Sequence, residues 1–250
     1  MTTLELRHVN KHFGGLHVSK NISMGIEPGE LTAIIGPNGA GKTTLFNQIT
    51  GYIAPDNGGI FFEGLEITGK EPESLVKMGI VRAFQVASLF IDETVYDNLY
   101  LAALAFHGKN WNIFANRKMY KEVAEQCRFI LDRLGLSDKE RLKAFELSHG
   151  DQKVLDIAIA LTMKPKLLLL DEPTAGMSPD ERVKMTHLIR AIHEEFKLTT
   201  VFVEHDMDMV FGIADIIRVL VQGELIAEGN AEEIQKNPAV IDAYLGHEVL

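Results

Sequence analysis

The chain has 250 residues, 46% of them hydrophobic, which suits one large domain or a core with an inserted lobe. Its 25 basic and 35 acidic residues leave a net charge of −10, which argues against an extended nucleic-acid footprint. The single cysteine, Cys127, excludes an internal disulfide, and no cysteine cluster is present for zinc. The start, Met1-Thr2-Thr3-Leu4-Glu5, lacks the basic-then-apolar order of a secretory signal. Apolar runs such as residues 167–170 are far too short to span a bilayer, so the expected location is cytoplasmic.

In chain order, residues 4–9 read as a strand of an antiparallel layer that turns at Gly14-Gly15. Residues 31–35 form a short run that is apolar apart from Thr32, as expected of a strand buried on both faces. A helix pattern follows over residues 44–50, then a turn at Asp56-Asn57-Gly58-Gly59 and a second antiparallel strand over residues 59–64. Residues 86–162 carry almost no strand signal and read as a helical insertion. Within it Tyr120, Val123, Ala124, Cys127, Ile130, Leu131 and Leu134 fall on one helical face, so Cys127 is expected to pack in a core. Buried strands return at residues 167–170 and 199–203. Between them Met185, Leu188, Ile189, Ile192 and Phe196 keep helical spacing. The tail opens with a helix start at Asn230-Ala231-Glu232-Glu233.

This alternation predicts an α/β fold on a mostly parallel sheet, the core that carries the P-loop motif of residues 36–43. To it are added an N-terminal antiparallel β layer and an inserted α-helical subdomain. The expected division is residues 1–85 and 163–229 for the core, 86–162 for the helical subdomain and 230–250 for the tail.

The string Gly36-Pro37-Asn38-Gly39-Ala40-Gly41-Lys42-Thr43 matches the phosphate-binding loop in full, between a strand pattern and a helix pattern. Glycines let backbone N–H groups turn inward around phosphate oxygens, and the helix that begins near Thr44 adds its dipole. Lys42 would bridge the β- and γ-phosphates, and the Thr43 hydroxyl would ligate Mg²⁺. The run ending at residue 170 delivers two carboxylates at its C-terminal end, where α/β sheets bind ligands. Asp171 would hold the metal through water and Glu172 would polarise the attacking water. The third strand ends in Glu204-His205, where His205 could sense the γ-phosphate. The other eight histidines show no metal-ligand spacing.

Taken together these residues resemble the ATP-binding-cassette ATPases over nearly the whole chain. The resemblance implies that Phe13 stacks on adenine with Val18 beside it. It also implies that Gln85, in Arg82-Ala83-Phe84-Gln85, links the metal site to the helical lobe. Leu147-Ser148-His149-Gly150-Asp151 stands at the family signature Leu-Ser-Gly-Gly-Gln, just before a helix with Val154, Leu155, Ala158 and Leu161 on one face. In the family this helix end caps ATP on the opposite subunit, so two ATP molecules are sandwiched in a head-to-tail dimer. Ala175-Gly176-Met177-Ser178 falls at the loop that touches the opposite subunit, and Ser178-Pro179-Asp180-Glu181 is also a helix-capping box.

Two signature positions depart from the family. His149 replaces a glycine and Asp151 replaces the glutamine, with Gln152 one place late. Ser148 and Gly150 are retained, so capping is expected to survive with altered ribose contacts. Gly79-Ile80-Val81-Arg82-Ala83-Phe84-Gln85, the stretch from Asp171 to Pro179 and the tail Ala243-Tyr244-Leu245-Gly246 are similar to ATPases of branched-chain amino acid importers. Relatives for urea, amides and organic acids stay open. Val95-Tyr96-Asp97-Asn98-Leu99 is shared with a lipopolysaccharide-export ATPase, the alternative.

The implied function is ATP hydrolysis coupled to transmembrane transport, with ATP and Mg²⁺ as cofactors. The implied partners are a second ATPase subunit (self or a close homologue), integral-membrane permease subunits and, indirectly, a solute-binding protein; nucleic acid is not expected. The place would be the cytoplasmic face of the membrane. One P-loop and no sustained heptad run oppose a non-transport member. Retained Lys42, Asp171, Glu172 and His205 oppose a purely regulatory one.

Overall fold

The structure, a computed structural model, describes residues 2–83, 89–106 and 117–245. Two sheets share the work. One is antiparallel, built from β1 (Leu4–Phe13), β2 (Leu16–Ile26), β4 (Asn57–Phe62) and β5 (Leu65–Glu66) in the order β2-β1-β4-β5. The other holds β3 (Leu31–Ile35), β6 (Ile80–Ala83), β7 (Leu167–Asp171), β8 (Thr199–Val203), β9 (Ile216–Val221) and β10 (Glu224–Gly229) in the order β10-β9-β3-β8-β7-β6. All its pairings are parallel except β10 on β9.

The central strands are apolar on both faces because both faces are covered. Leu168 and Leu170 point into a core shared with the helices, whereas Leu167 and Leu169 point into a second core shared with the antiparallel sheet. Successive side chains of a strand alternate in this way. The helices on the first side include α6 (Pro179–Phe196) and α7 (Met207–Ile213), and α1 (Lys42–Ile49) packs on the second. After α2 (Pro72–Met78), the described residues between β6 and β7 form α3 (Val95–Phe106), α4 (Arg117–Arg133) and α5 (His149–Thr162), with two short 3-10 turns. Leu99, Cys127 and Leu155 from these three helices meet in the core, all fully buried. The chain closes with α8 (Ala231–Gln235) and α9 (Pro238–Leu245).

Helix starts follow their capping residues. Ser178 accepts from Glu181 N–H and Glu181 answers on Ser178 N–H, with Pro179 in the first turn. Asn230 and Glu233 repeat the box at α8. The antiparallel sheet departs from the sequence expectation. β1 runs on to Phe13 through three register shifts, and Asn57 pairs with Asn10 instead of turning. The bulges break the period-2 alternation, and polar Asn10, Lys11 and His12 then hide the strand. β2 alternates only in part, and it was not anticipated at all.

Candidate functional site

The phosphate loop joins β3 to α1. Gly36 has no room for a side chain: a Cβ there would lie 1.9 Å from the carbonyl oxygen of Leu220. Gly41 sits at φ 102°, where a Cβ would lie 2.7 Å from the Val18 carbonyl oxygen. Val18 of β2 therefore runs directly against the loop. Phe13, at the far end of the β1–β2 hairpin, is 47% exposed, with the Lys11 ammonium 5.7 Å above its ring. Adenine stacking requires an exposed aromatic face, which Phe13 offers.

Lys42 folds back into the loop. Its ammonium donates to the carbonyl oxygens of Gly36 at 2.6 Å and Pro37 at 3.0 Å. Burial lowers its pKa, while Glu172 and Asp171 pull it back up. Both carboxylates at the end of β7 therefore lie within electrostatic reach of the loop lysine. Pro37, Asn38, Gly39 and Ala40 complete the loop, the Thr43 side chain is exposed and Thr44 is half-buried.

Asp171 ends β7 in an ion pair with Arg82 of β6, whose other nitrogen donates to Asn47 of α1 at 2.7 Å. Glu172 follows in a left-handed conformation, φ 50°, uncommon for a side chain of this type. Its N–H donates to Val203 O of β8 at 3.0 Å. The Lys153 ammonium of α5 holds the carbonyls of Glu172, Pro173 and Ala175 at 3.0, 3.3 and 2.8 Å. Thus constrained, Glu172 Oε1 lies 3.2 Å from His205 Nε2. Glu204, 3% exposed, ties the two strand ends together. Its Oε1 accepts from Thr174 N–H at 2.7 Å and Thr174 O–H at 2.5 Å; its Oε2 accepts from the N–H groups of His205 and Asp206 at 2.8 and 3.3 Å.

The donors present fit Mg²⁺. An exposed hydroxyl and a strand-end carboxylate are hard oxygen ligands, and Mg²⁺ commonly takes one or two carboxylates plus substrate phosphates. Among the described residues no group of three His, Cys, Asp or Glu is placed to hold a metal ion. Gln85, assigned to the metal and the lobe linkage, lies outside the described residues.

Ser148 caps α5, accepting from Asp151 N–H at 3.1 Å. The residues around this turn are Lys139, Gly176 and Glu181. Asp151 pairs with Lys139 at 2.8 Å, and a Cβ on Gly176 would touch His149 Nε2 at 3.3 Å. One on Gly150 would lie 3.2 Å from Glu181 Oε1. The signature turn and the Ala175–Ser178 loop thus pack together. The sequence carries no signal for the contacts of Lys139 with Asp151, Lys153 with Glu172 or Glu204 with Thr174, whose partners lie 12 to 30 residues apart.

A nucleotide-phosphate loop beside a carboxylate strand end, with a capped helix on a separate lobe, is the arrangement of an ATP-binding cassette. Residues 19–175 match the model described as ABC transporter, and the chain belongs to that family of ATP-hydrolysing transport proteins. Residues 224–249 match a second model, described as branched-chain amino acid ATP-binding cassette transporter.

The chain is 36% identical to the high-affinity branched-chain amino acid transport ATP-binding protein LivG of Escherichia coli strain K12 over 250 residues, 97% of each chain. Its fold is similar to the ADP conformation of MJ1267, an ATP-binding cassette of an ABC transporter, with TM-score 0.87 and 34% identity over 98% of this chain and 99% of that one. The dimeric structure of MJ0796, a bacterial ABC transporter cassette, matches at TM-score 0.76 and 26% identity over 91% and 98%. The expected α/β cassette with its antiparallel layer is therefore present.

Proposed function

We propose that this chain hydrolyses ATP to drive import of branched-chain amino acids or a related small polar solute, such as urea, an amide or an organic acid. The observation that carries the catalytic half is the convergence of Lys42, Asp171, Glu172 and His205 at three adjacent strand ends. The cargo class is supported by LivG and by the match of the C-terminal residues.

In this reading Phe13 and Val18 receive the adenine end of ATP. The backbone N–H groups of residues 38–44 surround the phosphates, and Lys42 exchanges the Gly36 and Pro37 carbonyls for the β- and γ-phosphates. Thr43 and Asp171 would hold Mg²⁺, which when bound supplies charge neutralisation at the transferred phosphoryl. Asp171 exchanges its contact with Arg82 for that role. Glu172 orients and polarises the attacking water. His205, held against Glu172, steadies the γ-phosphate. Ser148 and Gly150 close on ATP held by a second ATPase subunit, this chain or a close homologue.

The division into residues 1–85 with 163–229, 86–162 and 230–250 belongs to the same proposal. The lobe within 86–162 would transmit closure to permease subunits from the cytoplasmic face. Phe90, Ile91 and Phe145 support docking there: all three are more than half exposed, and Phe145 N–H donates to Ile91 O. Clustered exposed aromatics mark protein contacts. Among the described residues no helix is long and apolar enough to cross a membrane.

Steady-state hydrolysis by the purified chain tests the catalytic half. Glu172→Gln is expected to lower turnover by roughly 100-fold or more. Normal hydrolysis by that variant would remove Glu172 from its role. Permease subunits should co-purify with the tagged chain from its native membrane.

A further inference from the structure

The signature turn carries an unusual charge arrangement. Asp151 stands where the family glutamine would be neutral. Its Oδ2 accepts from Ser148 O–H at 2.9 Å and from the Lys139 ammonium at 2.8 Å. Glu181, whose carboxylate is held by Ser178 N–H and O–H, lies beside Gly150 and close enough to feel Asp151. Two carboxylates therefore border the turn that is proposed to meet a triphosphate. Lys139 is the cation bound directly to one of them.

The hydroxyl of Ser148 has one proton to give. In the free subunit that proton is directed to Asp151. To donate to a γ-phosphate, Ser148 must turn away, leaving Asp151 one donor short and facing an anion. An ammonium has three donors, so Lys139 can keep the carboxylate satisfied and neutralised after Ser148 leaves. We propose that Lys139 and Asp151 act as a matched pair replacing the neutral glutamine, with Lys139 as the positioning residue that frees Ser148 for the phosphate. The proposal rests on the reading that Ser148 and Gly150 cap ATP on a second subunit.

Removal of the cation alone should leave Asp151 repelling ATP and retaining Ser148. Removal of the anion as well should relieve both effects. The test is ATP-dependent dimerisation in a Glu172→Gln background, read by sedimentation across an ATP titration. Lys139→Met should raise the ATP midpoint roughly tenfold, one uncompensated charge at short range being of that order. Adding Asp151→Gln should restore the midpoint, whereas Lys139→Arg should leave it unchanged. A thermal melt of each variant separates a packing defect, which Asp151→Gln could not repair.

Ser148→Arg supplies the control on the underlying reading, since it should abolish the dimer. If Ser148→Arg dimerises normally, both the capping reading and the proposal fail. If it abolishes the dimer while Lys139→Met behaves like its parent, or while Asp151→Gln fails to rescue, the proposal alone is overturned.

Discussion

Cys127 and Asp56 show how one residue's surroundings set its chemistry. Burial in the helical core pushes the Cys127 thiol up to about 11, so it stays protonated at neutral pH. A thiol-reactive dye should label the native protein only as fast as it opens, and the rate should rise sharply in denaturant. Rapid labelling of the folded chain would contradict the packing. Asp56 is lowered from 3.8 to about 2, first by the Lys11 ammonium and next by the N–H of His12. A lowered pKa contributes stability above 3.8 that is lost as pH falls toward 2. Asp56→Asn should therefore flatten the loss of stability in that window, as followed by acid titration of the fold.

Groups that adjoin in the chain are legible: Gly36 to Thr43 and Asp171-Glu172 are contiguous, and their residue types point to the phosphate and metal roles proposed for them. The Lys139–Asp151 and Glu204–Thr174 contacts were not, because only the fold brings those partners together.

At the scale of elements, Glu204 couples the ends of β7 and β8. A glutamine there has one acceptor oxygen where the carboxylate uses two, so its amide N–H₂ must face N–H or O–H donors. Glu204→Gln should cost about 2–3 kcal/mol, a fall in Tm of roughly 5–10 °C, measured by thermal unfolding. An unchanged Tm would show that the four donors find other partners.

The strands at the site were readable because β3, β7 and β8 are covered on both faces and carry near-continuous apolar runs. Bulged β1 and partly exposed β2 gave no such run, since solvent on one side permits polar residues and register shifts break the alternation. The capping boxes at Ser178 and Asn230 were also readable, because a cap and its partner lie only three residues apart.

The whole molecule divides its chemistry between two places. The core sheet gathers the phosphate loop, the carboxylates and His205, while the lobe presents Ser148 at the N-terminus of α5. Lys153 joins them mechanically, since it springs from α5 and holds the backbone of Glu172. In the proposed reading such a subunit is half of a site, and its family supplies the precedent for pairing in the dimeric MJ0796 cassette.

The most direct measurement is sedimentation velocity of Glu172→Gln with ATP and Mg²⁺, with nucleotide occupancy followed on the same sample. The expected result is a dimer that forms with ATP, dissociates when ADP replaces it, and is lost with Ser148→Arg. A variant that binds ATP to saturation and stays monomeric would contradict it.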